Sequence, residues 1–271
     1  MNNLLFLLII NGFFIIPIGL IYHLFHLKLN FQYLGTYLII VNILSLISII
    51  LKYNIRINLI KKQMLSSNDI DPYKLNKINK ELKQLSNKYK IKEPKLIVFK
   101  EDNINAFATG LFNSYICFSD KIFELLSEKE LIAVLYHEFA HIKNKDLIKQ
   151  LYLESIFDSF TFYLFKFSKF FFKGLLNILN IPLIIIELLF NLFFNFIGLY
   201  ISRKAEFQAD LFAVKEQETS IPLIYSLTKI VQIQRYDFNY QNNFAKVNWG
   251  TDLWSTHPKI YKRIKKIENF I

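Results

Sequence analysis

The sequence contains a single cysteine, Cys117, among its 271 residues. One cysteine excludes an intrachain disulfide, and this scarcity is typical of chains that work in a reducing compartment. Cys117 lies within the apolar run "SYICFS", where we expect a small core residue rather than a nucleophile. The composition therefore excludes a small secreted domain held together by disulfides.

Charged residues are also missing from two long stretches near the start of the sequence. Residues 1–27 contain no Asp, Glu, Lys or Arg, and residues 29–51 contain none either. Roughly 20 apolar residues in a helix are enough to cross the core of a bilayer. A cleavable signal peptide would need a basic start, a shorter apolar stretch and a small-residue cleavage site. The pattern therefore predicts two transmembrane helices, near residues 4–26 and 33–51.

Basic residues outnumber acidic residues, 33 to 22, which gives the chain a formal net charge of +11. A basic cluster directly follows the second predicted span: Lys52, Arg56, Lys61 and Lys62. Lys and Arg in short loops stay on the cytoplasmic side of a membrane. We therefore expect residues 52 onward at the cytoplasmic face of the inner (plasma) membrane. The spread of basic residues favours contact with anionic lipid head groups of the bilayer over nucleic-acid binding.

A second hydrophobic region covers residues 151–202. Residues 147–173 are rich in Phe and Leu but hold several charges, which predicts either an amphipathic helix on the membrane surface or a third span. Residues 174–202 carry one charge, Glu187, and predict a transmembrane helix. Two spans here would form a hairpin that returns the chain to the cytoplasm. Glu187 is either a functional group within the membrane or the partner of a lysine in the first part.

Helix and strand signals divide the polar segments into elements. The predicted elements are a helix opened by Asp71 and Pro72, strands at 95–100 and 114–119 with a loop or edge strand between them, a helix over 128–145 opened by a capping box of Ser127 and Glu130, a helix in "RKAEFQADLFAVK" and a basic C-terminal helix in "STHPKIYKRIKKIENF". The domain organisation that follows is two spans in 1–51, the first part of a folded domain in 52–150, a hydrophobic hairpin in 151–202 and the second part of the domain in 203–271.

Residues 135–141 read "LYHEFAH" and place two of the five histidines four apart on the predicted helix. The imidazoles of His137 and His141 then leave the same face and can bind one zinc ion. Glu138 can accept the proton of a zinc-activated water that attacks a peptide carbonyl. The alternative is a chance pair of histidines. A core-facing helix would then bury three polar groups without partners, at high cost.

A catalytic zinc needs a third protein ligand and keeps its fourth position for water. The segment "SRKAEFQAD" offers Glu206 and Asp210, four apart on one helical face. Glu206 can bind the metal while Asp210 accepts the free N–H of a ligand histidine. Two carboxylates at this spacing are usually solvated, but the small and apolar neighbours in this segment favour an inward face.

The segments "NAFATG", "LSEKELIAVLYHEFAHIKNKD", "ISRKAEFQADLFAV" and "STHPKIYKRI", in that order, resemble the M48 family of membrane zinc metallopeptidases, and within it the HtpX-like heat-shock proteases. The resemblance implies an α+β fold: a mainly helical metallopeptidase domain of the zincin (gluzincin) type with a small sheet, two leading spans and a second hydrophobic hairpin. It also implies one Zn²⁺ per chain, bound by His137, His141 and Glu206, with Glu138 as general base and acid.

The resemblance implies roles for residues outside the metal motifs. Asn105, Ala106 and Phe107 match a strand-edge motif, along which a substrate backbone would add as an extra strand. His257 falls in a His-Pro motif, and Arg263 lies six residues later; both would stabilise the oxyanion. Taken alone, these residues favour only a turn at "NAFATG", a loop residue at His257 and a basic surface residue at Arg263.

These observations predict a membrane-anchored zinc endopeptidase that faces the cytoplasm and cleaves misfolded or damaged membrane proteins. An alternative within the family is a processing protease for lipidated C-terminal peptides, like the larger Ste24-type members, which have more spans. A third hypothesis is a catalytically silent membrane scaffold. The presence of every expected ligand and of the general base argues against a scaffold.

Overall fold

A computed structural model describes residues 70–101, 104–110, 113–161, 180–241 and 258–270, with short helical pieces between residues 42 and 62. The chain forms two compact units. The first unit contains Met1–Lys52 and Gln150–Phe196, and the second contains Tyr53–Lys149 and Ile197–Ile271. All three predicted zinc ligands belong to the second unit.

Several predictions concern residues outside the described part of the chain. The predicted span at 4–26 lies there entirely, as do most of the span at 33–51 and residues 162–179 of the second hydrophobic region. His257 also lies there. Within the residues that are described, no helix combines the length and the apolar character that a membrane crossing requires.

The second unit contains a three-stranded sheet of β1 (Lys95–Phe99), β2 (Ala106–Thr109) and β3 (Tyr115–Ser119). The middle strand, β3, is parallel to β1 and antiparallel to β2. The strands predicted at 95–100 and 114–119 are thus confirmed. The "NAFATG" segment was predicted to be either a loop or an edge strand, and in the structure it forms the edge strand β2.

The two faces of this sheet contribute to different clusters, because successive residues of a strand point to opposite sides. Ile116 and Phe118 of β3 belong to the main core that the sheet shares with the helices. Tyr115 and Cys117 belong to a smaller cluster that includes Ile57. Cys117 is completely buried, which confirms that it is a core residue.

Helix α1 (Pro72–Tyr89) begins where the sequence predicted. The Asp71 carboxylate accepts hydrogen bonds from the amides of Tyr73 at 2.9 Å and Lys74 at 3.4 Å. These bonds satisfy two of the amides that a helix start leaves without partners. The buried apolar face of α1 consists of Ile78, Leu82 and Leu85.

A short helix, α2 (Asp120–Leu125), leads into α3 (Glu128–Asn144), which carries the "LYHEFAH" motif. The Ser127 amide donates to the Glu130 carboxylate at 2.7 Å, as the predicted capping box requires. Residues 131–140 of α3 are all buried, and the helix packs against α1 and β2. Because each large apolar side chain gains about 1.5–3 kcal/mol on burial, this packing holds the motif in one orientation.

The remaining helices are α4 (Asp146–Thr161), α5 (Asn180–Gln217), α6 (Ile221–Gln241) and α7 (Ile260–Glu268). Helix α5 continues through residue 203, where the sequence predicted a separate helix to begin. Helix α6 was not predicted, although "TSIP" at its beginning is typical of a helix start. It packs against α3. Helix α7 confirms the predicted C-terminal helix and packs against α6.

Candidate metal centre

Helix α3 places the two histidines of the motif side by side. The Nε2 atoms of His137 and His141 lie 3.2 Å apart, because side chains four residues apart share one face of a helix. Both imidazoles are largely shielded from solvent, with side-chain exposures of 9% and 17%. Two shielded imidazoles with facing nitrogen atoms form half of a tetrahedral metal site.

Helix α5 brings a carboxylate to the same point. Glu206 Oε2 lies 3.5 Å from His137 Nε2, and Glu206 Oε1 lies 3.8 Å from His141 Nε2. One ligand atom from each of the three residues lies within 4.8 Å of the other two. Tetrahedral zinc bonds of about 2.0–2.2 Å would separate neighbouring ligand atoms by about 3.3–3.5 Å. The observed distances therefore suit one zinc ion.

Each histidine presents its second ring nitrogen to a carboxylate. His137 Nδ1 lies 3.0 Å from Asp210 Oδ1, and His141 Nδ1 lies 3.1 Å from Asp146 Oδ2. A neutral imidazole has only one N–H, so a proton on each Nδ1 leaves two Nε2 lone pairs facing each other. A cation between the lone pairs removes their repulsion. The donor set is therefore chemically suited to a metal ion.

The raised pKa of His137 also indicates that the surroundings of this imidazole favour a positive charge. Burial lowers this pKa, but hydrogen bonds with Asp210 and Glu206 outweigh burial and raise it to about 10. The same carboxylates that raise this pKa also favour a metal cation at the imidazole, which binds metal in its neutral form.

Arg263 of α7 contacts both carboxylates that α5 contributes. Its Nε and Nη2 atoms donate to Asp210 at 2.8 and 2.6 Å, and its Nη1 lies 3.2 Å from Glu206 Oε2. Burial raises the pKa of Asp210, but hydrogen bonds from Arg263 and His137 outweigh it and keep the pKa below its usual value. The sequence predicted an oxyanion donor at Arg263. In the structure three of its nitrogen atoms face Asp210 and Glu206, and these contacts orient the two side chains. The role of Arg263 toward an oxyanion stays a prediction.

Glu138 follows His137 on α3 and is 7% exposed. Burial lowers the pKa of Arg263, but the carboxylates of Asp210, Glu206 and Glu138 outweigh it and raise this pKa. Glu138 therefore belongs to the same buried cluster of side chains as Glu206. The remaining predicted catalytic residue, His257, belongs to the part of the chain that is not described.

The predicted substrate-binding residues lie on and next to edge strand β2, which packs against α3. The Ser119 amide donates to the Asn105 carbonyl at 2.9 Å, and the Asn105 amide donates to Ser119 Oγ at 3.0 Å. Hydrogen-bonding directions alternate along an antiparallel pair, so Ala106 and Ala108 direct their main-chain groups away from β3. The ring of Phe107 packs on an aromatic ring of β1, with centroids 5.6 Å apart. Among the three predicted substrate-binding residues, Ala106 therefore directs its main-chain N–H and C=O away from β3, toward the outer edge of the sheet. Ala108, which was not predicted, does the same.

Asp146, at the start of α4, was not predicted as a site residue. On an unbroken helix, a residue five positions after His141 would lie about 140° further around the axis, so the spacing carried no signal. The structure interrupts the helix at Lys145, whose backbone is left-handed with a φ of 57°. Asp146 consequently lies against His141, and it is 6% exposed.

Comparison with known proteins identifies a family and several relatives. Residues 72–271 match the model of peptidase family M48. "Protease HtpX homolog" of Helicobacter pylori (strain Shi470) is 29% identical over 226 residues, 76% of this chain and 69% of the relative. The protein of the same name from Helicobacter acinonychis (strain Sheeba) is 30% identical over 217 residues, 73% of this chain and 70% of the relative. "Protease HtpX" of Buchnera aphidicola subsp. Baizongia pistaciae is 26% identical over 252 residues, 83% of each chain.

A search of solved structures finds Ste24p of S. mikatae, with 21% sequence identity and a TM-score of 0.47. The match covers 70% of the present chain and 49% of the solved chain. The present chain thus spans about half the length of that protein.

Proposed function

The chain belongs to peptidase family M48 and is a metallopeptidase related to HtpX proteases, and from this premise we propose that His137, His141 and Glu206 bind its catalytic zinc ion. The observation that carries the proposal is the meeting of three ligand atoms within 4.8 Å. Two of these atoms come from α3 and one from α5. Zinc in such a site polarises a peptide carbonyl and lowers the pKa of water to about 7.

Glu138 is the proposed general base and acid of the reaction. It accepts a proton from the attacking water as the new carbon–oxygen bond forms, and it gives a proton to the amine as the peptide carbon–nitrogen bond breaks. Its position next to His137 on a rigid, buried helix supports this role, because proton transfer requires a group that is already in place. His257 is the proposed donor to the oxyanion.

The substrate backbone is proposed to lie along the outer edge of β2, which pairs with no strand among the described residues and is called its open edge here. The outward main-chain groups of Ala106 and Ala108 can pair with an extended peptide, as in other cases of strand addition. Such pairing recognises the peptide backbone rather than particular side chains, which suits a protease for unfolded polypeptides. The packing of β2 on α3 supports a course of the peptide beside the metal ligands.

The first unit is proposed to anchor the enzyme in the inner (plasma) membrane, through the two spans in 1–51 and the hairpin in 151–202. Exposed apolar side chains in the first unit support this anchoring, since such surfaces mark contacts with a membrane or a partner. In the segment that ends at Lys52 the exposed apolar residues are Ile43, Leu46, Ile47, Ile50 and Leu51. On α5 they are Ile185, Leu188, Leu189, Phe193 and Phe196. The basic cluster after residue 51 supports a cytoplasmic active site. Misfolded or damaged membrane proteins are the proposed substrates.

The proposal is tested with purified full-length protein in detergent. The parent is expected to contain one zinc ion per chain and to cleave both reduced, carboxymethylated casein and a membrane protein carrying a destabilising substitution. Glu138→Gln is expected to keep its zinc and to lose about 10²–10⁴-fold in rate, because general acid–base catalysis contributes about this factor.

Glu128→Gln is the matched control, since Glu128 lies on the same helix and pairs with Lys77 at 3.2 Å on the surface. It is expected to behave like the parent. Cleavage by Glu138→Gln at the parental rate would contradict the proposal. Activity confined to a farnesylated C-terminal peptide would instead favour the alternative function of processing lipidated peptides.

A further inference from the structure

Asp146 forms a buried contact with a proposed zinc ligand. Its Oδ2 atom lies 3.1 Å from His141 Nδ1, and its Oδ1 atom accepts a hydrogen bond from Lys149 Nζ at 3.0 Å. The Asp146 side chain is 8% exposed, whereas that of Lys149 is 31% exposed. The carboxylate therefore faces one imidazole and one ammonium group, and little of it contacts water.

The contact decides which nitrogen of His141 is available to a metal. A carboxylate beside Nδ1 holds the proton on that atom, so the Nε2 lone pair is left to bind the metal. Nε2 is also the atom that faces His137 at 3.2 Å. The orientation of the ring and the position of its proton thus both favour metal binding at Nε2.

The geometry points to Asp146 as a positioning residue for His141, and we propose that it raises the affinity of the site for zinc. This inference rests on the proposed metal site. Each histidine ligand would then have its own carboxylate, His137 with Asp210 and His141 with Asp146. The two carboxylates are held differently, because Arg263 binds both oxygens of Asp210 whereas Lys149 binds one oxygen of Asp146.

Asp146 and Glu206 lie on the helices α4 and α5, which each contain residues of both units. Asp146 is the first residue of α4, which continues through Gln150 into residues of the first unit. Glu206 lies on α5, which also contains residues of both units.

A purely structural role for Asp146 is the competing explanation. An acidic residue in the first turn of a helix stabilises that helix through its dipole, and the pair with Lys149 adds to this effect. Loss of such a role would lower the stability of the protein with and without metal. It would not change the intrinsic affinity for zinc, which is therefore the quantity that separates the two explanations.

The test measures the zinc dissociation constant of full-length protein by competition with a chromophoric chelator, together with the melting temperature of the metal-free protein. Asp146→Asn and Asp146→Ala are expected to weaken zinc binding about 10- to 100-fold, as loss of a carboxylate behind a ligand histidine typically does. The visible absorption bands of the Co²⁺-substituted protein are expected to change as well, because the ligand field depends on the orientation of His141. Asp146→Glu is expected to recover part of the affinity.

Asp120→Asn is the matched control, because Asp120 is also the first residue of a helix and its carboxylate accepts backbone hydrogen bonds from Glu101 and Lys121. It is expected to keep the parental zinc affinity. Parental affinity in both Asp146→Asn and Asp146→Ala overturns the inference, and so does an equal loss in the Asp120 control. A parent protein that binds no zinc refutes the proposed function itself, which distinguishes the two failures.

Discussion

Arg263 donates hydrogen bonds to both carboxylate oxygens of Asp210, from Nε at 2.8 Å and from Nη2 at 2.6 Å. The two residues are 53 positions apart in the sequence, and their exposures are 7% and 1%. Such a buried pair is costly to desolvate and is stable only while both partners are present. Because Asp210 also lies against His137, the pair joins α7 to the proposed zinc ligands.

Replacement of one partner is therefore expected to destabilise the fold. Arg263→Met leaves a buried carboxylate without its counter-charge, and we expect a loss of about 3–5 kcal/mol in the free energy of unfolding of the metal-free protein. Urea denaturation of detergent-solubilised protein, followed by circular dichroism, measures this change. Arg263→Lys keeps the charge but lacks the planar fork, and we expect an intermediate loss.

A double-mutant cycle checks the origin of this loss. The variant with both Asp210→Leu and Arg263→Met removes both members of this ion pair, so neither is left buried without the other, and its loss of stability is expected to be clearly smaller than the sum of the two single losses. Additive losses would show that the two side chains contribute independently, which contradicts the paired arrangement.

Zinc is expected to stabilise the folded protein by mass action. At a free concentration about 100 times the dissociation constant, the added stability is about 2.7 kcal/mol. Differential scanning fluorimetry of chelator-treated protein, with and without added Zn²⁺, measures this as a rise in melting temperature. His137→Ala removes one of the three ligands and is expected to abolish the rise. A rise of parental size in His137→Ala would place the metal elsewhere.

The open edge of β2 is expected to contribute to substrate binding through its main chain. Ala108→Pro removes one outward N–H, and a proline is tolerated at an outward position of an edge strand. The loss of one hydrogen bond of about 1 kcal/mol corresponds to about a fivefold lower kcat/KM on an unfolded polypeptide. Ala108→Val keeps the N–H and serves as the control. Equal kcat/KM values for the two variants would argue against strand addition at this edge.

The ion pair of Glu130 with Lys229, at 2.7 Å, is expected to make stability depend on pH. Burial raises the pKa of Glu130, but hydrogen bonds from Lys229 and the Ser127 amide outweigh burial and hold the pKa below its usual value. A depressed pKa adds stability above the pKa of the unfolded chain, and this stability is lost as the pH falls through the pKa of the folded state.

Glu130→Gln keeps the capping box but loses the charge. We expect it to cost about 1 kcal/mol at pH 7, a modest value because the Lys229 side chain is 42% exposed. The cost is expected to stay nearly the same at pH 7 and 5 and to shrink toward zero near pH 3, because the folded-state pKa of Glu130 lies below the usual glutamate value of about 4.3. Urea denaturation at pH 7, 5 and 3 would show this. Glu124→Gln, which removes a surface pair with Lys121 at 3.8 Å, is expected to have almost no effect. A constant cost at all three pH values would contradict the assignment.

Local patterns in the sequence predicted the parts of the molecule that depend on neighbouring residues. The start of α1 at Asp71 and Pro72, the capping box of α3 and the strand β3 depend on only a few adjacent side chains, and the structure contains all three features. Spacing along one helix likewise predicted that His137 and His141 would face each other. Helix α6 shows the limit of such patterns, since its start signal was present but its length rests on packing against α3.

The two short segments "HEFAH" and "AEFQAD" thus predicted the proposed metal ligands and base, because helical periodicity places His137 and His141 on one face of one helix, and Glu206 and Asp210 on one face of another. Only the tertiary structure decided what surrounds these groups. No pattern in the sequence indicated that Arg263 would bind Asp210, and the packing of α7 creates this contact. Asp146 had no favourable spacing, but the left-handed turn at Lys145 brings it against His141. Both contacts depend on where separate helices end and pack, and no pattern of nearby residues specifies that.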